Sequence, residues 1–146
     1  MKTIILFYSH SGNTKTIATE KATQLGADIE EITEAKKPNM LIGIYRAMKR
    51  KKTDINPIKF NLGDYDKIII MSPVWGAHPV SAINSVISNL PAGKKVELIM
   101  VSGGGGTKKS AKDTKAAVIA RGCEIMGYTD LKAMREGDKI ISSIIK

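Results

Sequence analysis

The sequence predicts an α/β fold: a doubly wound, five-stranded parallel sheet with helices on both faces, formed by one domain over residues 1–146. Three observations lead there. Short apolar runs alternate with helix-period segments five times, and such alternation implies right-handed crossovers between parallel strands. The run Ile68-Ile69-Ile70-Met71 is apolar at every position, as befits a central strand covered on both sides. Finally, three loops of unusual composition, residues 9–14, 73–79 and 102–106, each leave the carboxyl end of a strand. In open parallel sheets ligands bind at that edge, where the strand order reverses.

Residues 3–8 read as a buried strand around Ile4-Ile5-Leu6. Residues 14–25 read as a helix, with Ile17, Ala18, Ala22 and Leu25 at helical spacing and Gly26 as its stop. Between them stands Phe7-Tyr8-Ser9-His10-Ser11-Gly12-Asn13-Thr14. The free N–H groups at a helix start attract an anion, and the helix dipole adds to that pull. Ser and Thr hydroxyls can donate to phosphate oxygens, and Gly12 lets the backbone come close. No acid in the loop opposes an anion. The loop is neither a Walker loop nor a Gly-x-Gly-x-x-Gly turn. An ordinary helix start capped by Asn13 or Ser11 is the alternative.

Residues 28–33 form a weaker strand with Ile29 and Ile32. Composition shifts over residues 36–57. There Leu41, Ile44, Tyr45 and Met48 recur at helical spacing, and Arg46, Lys49, Arg50, Lys51 and Lys52 gather towards the end. Cations suit a helix C-terminus, so a solvated basic helix end accounts for them. The functional alternative is a docking patch for an acidic protein, nucleic acid or a membrane surface. Residues 66–72 are the central strand, followed by the loop Pro73-Val74-Trp75-Gly76-Ala77-His78-Pro79. A helix over 80–90 carries Ile83, Val86, Ile87 and Leu90 on one face; Pro91 and Gly93 end it. Residues 96–101 form a strand, and Ser102-Gly103-Gly104-Gly105-Gly106 follows. A helix is expected over 107–121, a last strand over 123–131 interrupted by Gly127, and a short closing helix over 138–146 with Ile140, Ile141, Ile144 and Ile145.

At 146 residues the chain can bury roughly two-thirds of its unfolded surface. The formal charge of +9 makes the surface field positive and favours anionic ligands or partners. No apolar run approaches a membrane span. Met1-Lys2-Thr3 enters a strand with no small-residue cleavage site, so a cytoplasmic location is expected. The lone Cys123 sits in an apolar stretch and reads as a buried, inert thiol. His10 and His78 are far apart in sequence, and no metal site is indicated.

The spacing Ser9-x-Ser11-Gly12-x-Thr14 after Leu6-Phe7-Tyr8, with Ala18 one turn on, resembles the phosphate-binding loop of flavodoxins. The stretch Tyr65-Asp66-Lys67-Ile68-Ile69-Ile70-Met71-Ser72-Pro73-Val74-Trp75-Gly76 resembles the third strand and aromatic loop of small flavodoxin-like proteins. The resemblance covers nearly the whole chain. It implies the strand order 2-1-3-4-5 and FMN as cofactor. It further implies that Ser9, His10, Ser11, Gly12, Asn13 and Thr14 hold the FMN phosphate. Pro73, Val74, Trp75 and Gly76 would flank the flavin, with Trp75 stacked on the isoalloxazine; an indole is a good flat apolar wall. Ser102, Gly103, Gly104 and Gly105 would offer backbone groups to the pyrimidine edge. The Gly76–Ala77 peptide matches the one that turns towards flavin N5–H on reduction, and His78 reads as structural. The chain departs from the family in two respects. Flavodoxins are usually acidic and this chain is basic. Many also carry a second aromatic after the fourth strand, where this chain has glycines and then Lys108 and Lys109.

The resulting expectation is an FMN-binding electron-transfer protein that shuttles electrons between redox partners, with no catalytic side chain beyond the flavin. Its partner protein is expected to be acidic and to dock near the flavin edge. The alternative is an FMN-dependent NAD(P)H:quinone-type oxidoreductase: the glycine loop leaves room for a flat substrate, although long insertions that would wall a substrate pocket are missing. A flavin-free nucleic-acid module built on residues 46–52 is a third class. With Tyr45 as the segment's one aromatic neighbour and no base-stacking series, nucleic acid is not expected.

Overall fold

The computed structural model describes residues 1–145; Lys146 lies outside the described residues. The chain runs β1 (Thr3–Phe7), α1 (Asn13–Leu25), β2 (Asp28–Glu31), α2 (Met40–Met48), β3 (Lys67–Trp75), β4 (His78–Pro79), α3 (Ser81–Ser88), β5 (Lys95–Ser102), α4 (Ala111–Ala120), β6 (Glu124–Glu136) and β7 (Lys139–Ile144). Five strands pair in parallel in the order β2-β1-β3-β5-β6, which is the expected 2-1-3-4-5 order. Two strands extend the expected five. β4 folds back antiparallel on β3, and β7 antiparallel on β6.

The alternation of side chains along each strand divides the core in two. Ile4, Leu6, Ile68, Ile70, Val96, Leu98 and Met100 face one side, where Ile83, Val86, Ile87 and Leu90 of the α3 region and Val118 of α4 cover them. Ile5, Phe7, Ile69, Met71, Ile99 and Val101 face the other, against Ala18 and Ala22 of α1. Ala133 of β6 and Ile140 of β7 complete this second layer.

The C-terminal segment departs from expectation. The helix expected over 138–146 is instead β7, paired with β6 from Glu136↔Lys139 to Leu131↔Ile144. The two residues between the strands, Gly137 and Asp138, form the turn, with Gly137 at φ 59. Glycine at the first position of a two-residue hairpin loop suits the right-handed twist of its strands. Ile140, Ile141, Ile144 and Ile145 satisfy a helical period, but β-branched residues also favour strands, and the glycine turn decides. The strand expected over 123–131 runs on to Glu136. Gly127 does not interrupt it. It stands opposite Glu97 while Ile125 stands opposite Val96, so Met126 is an extra residue absorbed as a bulge. α4 starts at Ala111 rather than at 107, because residues 107–110 form a turn closed by Ser110 N–H to the Thr107 carbonyl at 3.0 Å.

α2 rests on the sheet edge through its smallest residues. Gly43 and Ala47 are buried, whereas Leu41, Tyr45 and Met48 are exposed. A β-carbon on Gly43 would stand 2.6 Å from Cζ3 of Trp75. Gly43→Ala should therefore displace either the indole or the helix. The expected cost is about 1–3 kcal/mol in denaturant unfolding, with a shift in the emission of Trp75; unchanged stability and emission would contradict this packing.

Candidate functional site

The carboxyl ends of β1, β3 and β5 lie side by side in the sheet. Their loops meet around a cavity of about 160 Å³. His10, Ser11, Asn13 and Thr14 come from the first loop, Pro73, Val74 and Trp75 from the second, and Val101, Ser102 and Gly103 from the third. Ser9, Gly12, Gly76, Gly104 and Gly105 belong to the same loops but lie outside this wall. Val101 was not among the expected residues. It is the last apolar position of β5 before the polar turn, and that position was its only signal.

A serine organises each loop. Ser9 Oγ accepts the N–H of Gly12 at 3.2 Å and of Lys15 at 3.3 Å. α1 thus begins with Gly12, at φ 95, as its N-cap and no side-chain cap from Ser11 or Asn13. Few residues but glycine adopt that φ readily. The N–H groups of Asn13 and Thr14, first in the helix, have no acceptor within it. There is no acidic residue in that first turn. Thr14 itself is buried in the wall, 3% exposed. In the third loop, Ser102 Oγ accepts the N–H groups of Gly104 and Gly106, each at 3.2 Å. In the second, buried Ser72 Oγ accepts the N–H of Val80 at 3.1 Å and donates to the Pro73 carbonyl at 2.8 Å.

Trp75 is held in a fixed attitude. Tyr8 and His10 meet it edge-on, with ring centroids 6.1 and 5.6 Å away. Gly43 closes on its six-membered ring. Tyr8 is itself buried and donates to Glu34 at 2.6 Å; burial, then that carboxylate, push its hydroxyl pKa well above its ordinary value. Beyond Trp75, Gly76 and Ala77 turn the chain with φ of 58 and 65. Positive φ at both central residues marks a primed turn of the kind two-residue hairpins prefer. Met48 of α2 covers Gly76, and Ser110 Oγ donates to the Ala77 carbonyl at 2.7 Å. His78 pairs across the hairpin with Trp75.

The β6–β7 hairpin overhangs this edge. Ser102 of β5 pairs with Lys132, so residues 133–136 of β6 project beyond the end of β5. Nη2 of Arg135 lies 3.8 Å from where a β-carbon on Gly12 would stand, and Cε of Lys132 lies at the same distance from that point on Gly104. Neither cation was singled out in the sequence, since nothing near them in the chain marks a site. Asp130 binds the buried Thr107 hydroxyl at 2.7 Å and ties β6 to the third loop's exit.

A larger groove of about 640 Å³ lies between α2, α3 and α4, with Lys49, Arg50, Lys52, Pro79, Asp113 and Arg121 among its walls. Part of its charge is already spent. Arg50 pairs with Asp113 at 2.5 Å, and Arg121 donates twice to the Leu90 carbonyl. Among the described residues, no cluster of His, Cys, Asp and Glu could hold a metal ion, and no helix is long and apolar enough to cross a membrane. Cys123 is buried, its thiol donating to the Pro91 carbonyl at 3.2 Å.

Several solved structures are similar to this chain. A flavoprotein from Lactobacillus acidophilus NCFM, crystallised in complex with FMN, superposes with a TM-score of 0.73 at 22% identity, over 88% of this chain and 92% of its own. Two-electron reduced flavodoxin from Megasphaera elsdenii gives 0.56 at 21%, over 88% and 84%. The Trp repressor binding protein from Bacillus subtilis gives 0.60 at 14%, over 94% and 90%. No protein-family model matches the chain, and no curated protein matches it. These likenesses establish a flavodoxin-like fold.

Burial, then the nearby Arg50, lower the pKa of His78 below its ordinary 6.5. As pH falls, the unfolded chain takes up this proton before the folded chain does, so stability is lost from about pH 6.5 downward. The unfolding midpoint should drop between pH 7 and 5, and His78→Gln should flatten part of that slope. An identical slope in the variant would remove His78 from the account.

Proposed function

We propose that this protein binds FMN at the three-loop edge and acts as an electron carrier between redox partners. The observation that carries the reading is the first loop. It combines unpaired helix-start N–H groups, nearby hydroxyls and no carboxylate. Such a set suits a phosphate dianion. The similarity to a flavoprotein crystallised with FMN supports the same ligand.

The residues present fit the group. Ser9 Oγ already accepts two N–H groups, and its own proton is left to donate to a phosphate oxygen. Ser11 and Thr14 hydroxyls and the N–H groups of Asn13 and Thr14 would complete the cradle. The cavity is smaller than the roughly 300–1,000 Å³ that encloses a drug-sized ligand. It therefore suits the phosphate end, with the ring system at the rim against Trp75. Gly103, Gly104 and Gly105 leave that rim unshielded. When bound, FMN would supply one- and two-electron chemistry, and the protein would orient and shield it.

α2 supports the partner reading. Leu41 is 81% exposed, and Tyr45 and Met48 each show more than half their surface. Lys36, Lys37, Arg46, Lys49, Arg50, Lys51 and Lys52 flank them, with no acid between Ala35 and Thr53. An apolar ridge with a cationic border fits an acidic redox protein. Because α2 sits on Trp75 and Gly76, docking there brings the partner close to the flavin edge. The groove beside Pro79 carries the second reading, an FMN-dependent NAD(P)H:quinone-type reductase, since Lys49 and Lys52 could meet a pyridine-nucleotide phosphate. Steady NAD(P)H oxidation without an added reductase would favour that enzyme over the carrier.

Thr14→Ala or Ser11→Ala should weaken FMN far more than riboflavin, by about tenfold or more per site, in a titration followed by Trp75 emission. Equal losses for both ligands would place these hydroxyls away from phosphate. With an acidic redox protein, electron-transfer rates should fall steeply as ionic strength rises, and Leu41→Glu should slow them without altering FMN affinity. Rates indifferent to salt would leave α2 an ordinary solvated helix.

A further inference from the structure

The hairpin that stands where a helix was expected brings a cation to the first loop. Leu131, Ala133 and Arg135 alternate onto one face of β6. Ala133 is buried in the α1 layer. Two residues on, the same face has passed the end of β5 and reaches the start of α1. There the Arg135 guanidinium lies 3.8 Å from the β-carbon position of Gly12, the N-cap of α1. Its cross-strand partner Ile140 packs into the same core layer and fixes the strand beneath it. Arg135 is exposed and forms no ion pair with a carboxylate among the described residues. The other cation of this loop, Lys15, is held 3.9 Å from Glu31.

We infer that Arg135 is a phosphate-binding residue: it reaches the first loop beside the N-cap of α1 and pairs with the 5′-phosphate of FMN. This rests on the FMN reading above and adds to it a charged contact from outside the loop. A guanidinium presents two parallel N–H donors to phosphate, and such pairs are directional as well as strong. The neutral donors of residues 9–14 would orient the phosphate, and Arg135 would neutralise part of its charge. Gly12 has no side chain to separate the two. The hairpin therefore has a role that a core-covering helix would not fill, because its overhang delivers the cation.

The test compares FMN with riboflavin on the full chain, wild type against Arg135→Gln and Arg135→Lys, with circular dichroism to verify folding. Arg135→Gln should weaken FMN about tenfold or more and leave riboflavin unchanged. Arg135→Lys should recover part of the loss, because it keeps the charge and loses the fork. Unchanged FMN affinity in Arg135→Gln, or an equal loss for riboflavin, would overturn the assignment while leaving the FMN reading in place. A wild-type chain that binds FMN no better than riboflavin would sink the phosphate reading itself, and Arg135's role with it.

Discussion

Ile68, Ile69 and Ile70 have no face to show to water. All three are wholly buried, as are Ile4, Ile5 and Leu6 on the neighbouring strand. Each such side chain contributes about 1.5–3 kcal/mol on burial. That burial requires helices on both sides of β1 and β3, and helices on both sides require parallel strands joined by crossovers. Parallel strands end at one edge, so the loops after β1, β3 and β5 become neighbours although they are far apart in sequence. The site is a consequence of how the core is covered.

Within that frame, short polar side chains shape each loop. Ser9, Ser72 and Ser102 stand near the ends of three parallel strands, and each spends its oxygen on backbone N–H groups of its own loop or of the helix that follows. This division of labour keeps the loops compact. It also leaves the first N–H groups of α1 for a ligand. Trp75 is fixed differently, by the edges of Tyr8 and His10 and by the missing side chain of Gly43. α2 consequently serves two purposes. Gly43 sets the tryptophan, and Leu41 and Tyr45 face outward.

The parallel sheet was legible because Ile4-Ile5-Leu6 and Ile68-Ile69-Ile70-Met71 are apolar at every position, whereas its strand order came from the resemblance to flavodoxins. The three loops were legible from composition and from their place after strands. Residues 138–145 were not, since isoleucines at 140, 141, 144 and 145 follow a helical period, while their β-branched side chains favour a strand. Only Gly137 at the turn, opposed by Glu136↔Lys139 pairing, separates the two. Arg135 was invisible for the same reason: its place beside Gly12 depends on a strand that outruns the expected end at 131. For α2, spacing marked the helix but not its buried side. Gly43 and Ala47, four residues apart, were the available signal, because close approach to an indole selects small residues.

The central claim is that the three-loop edge holds FMN. It is tested most directly by purifying the protein, recording its visible spectrum and identifying the flavin released on denaturation. The account predicts a yellow protein that releases FMN in stoichiometric amount and, once stripped, regains its spectrum and loses Trp75 emission when FMN is returned. A colourless protein whose tryptophan emission is unmoved by excess FMN would contradict it.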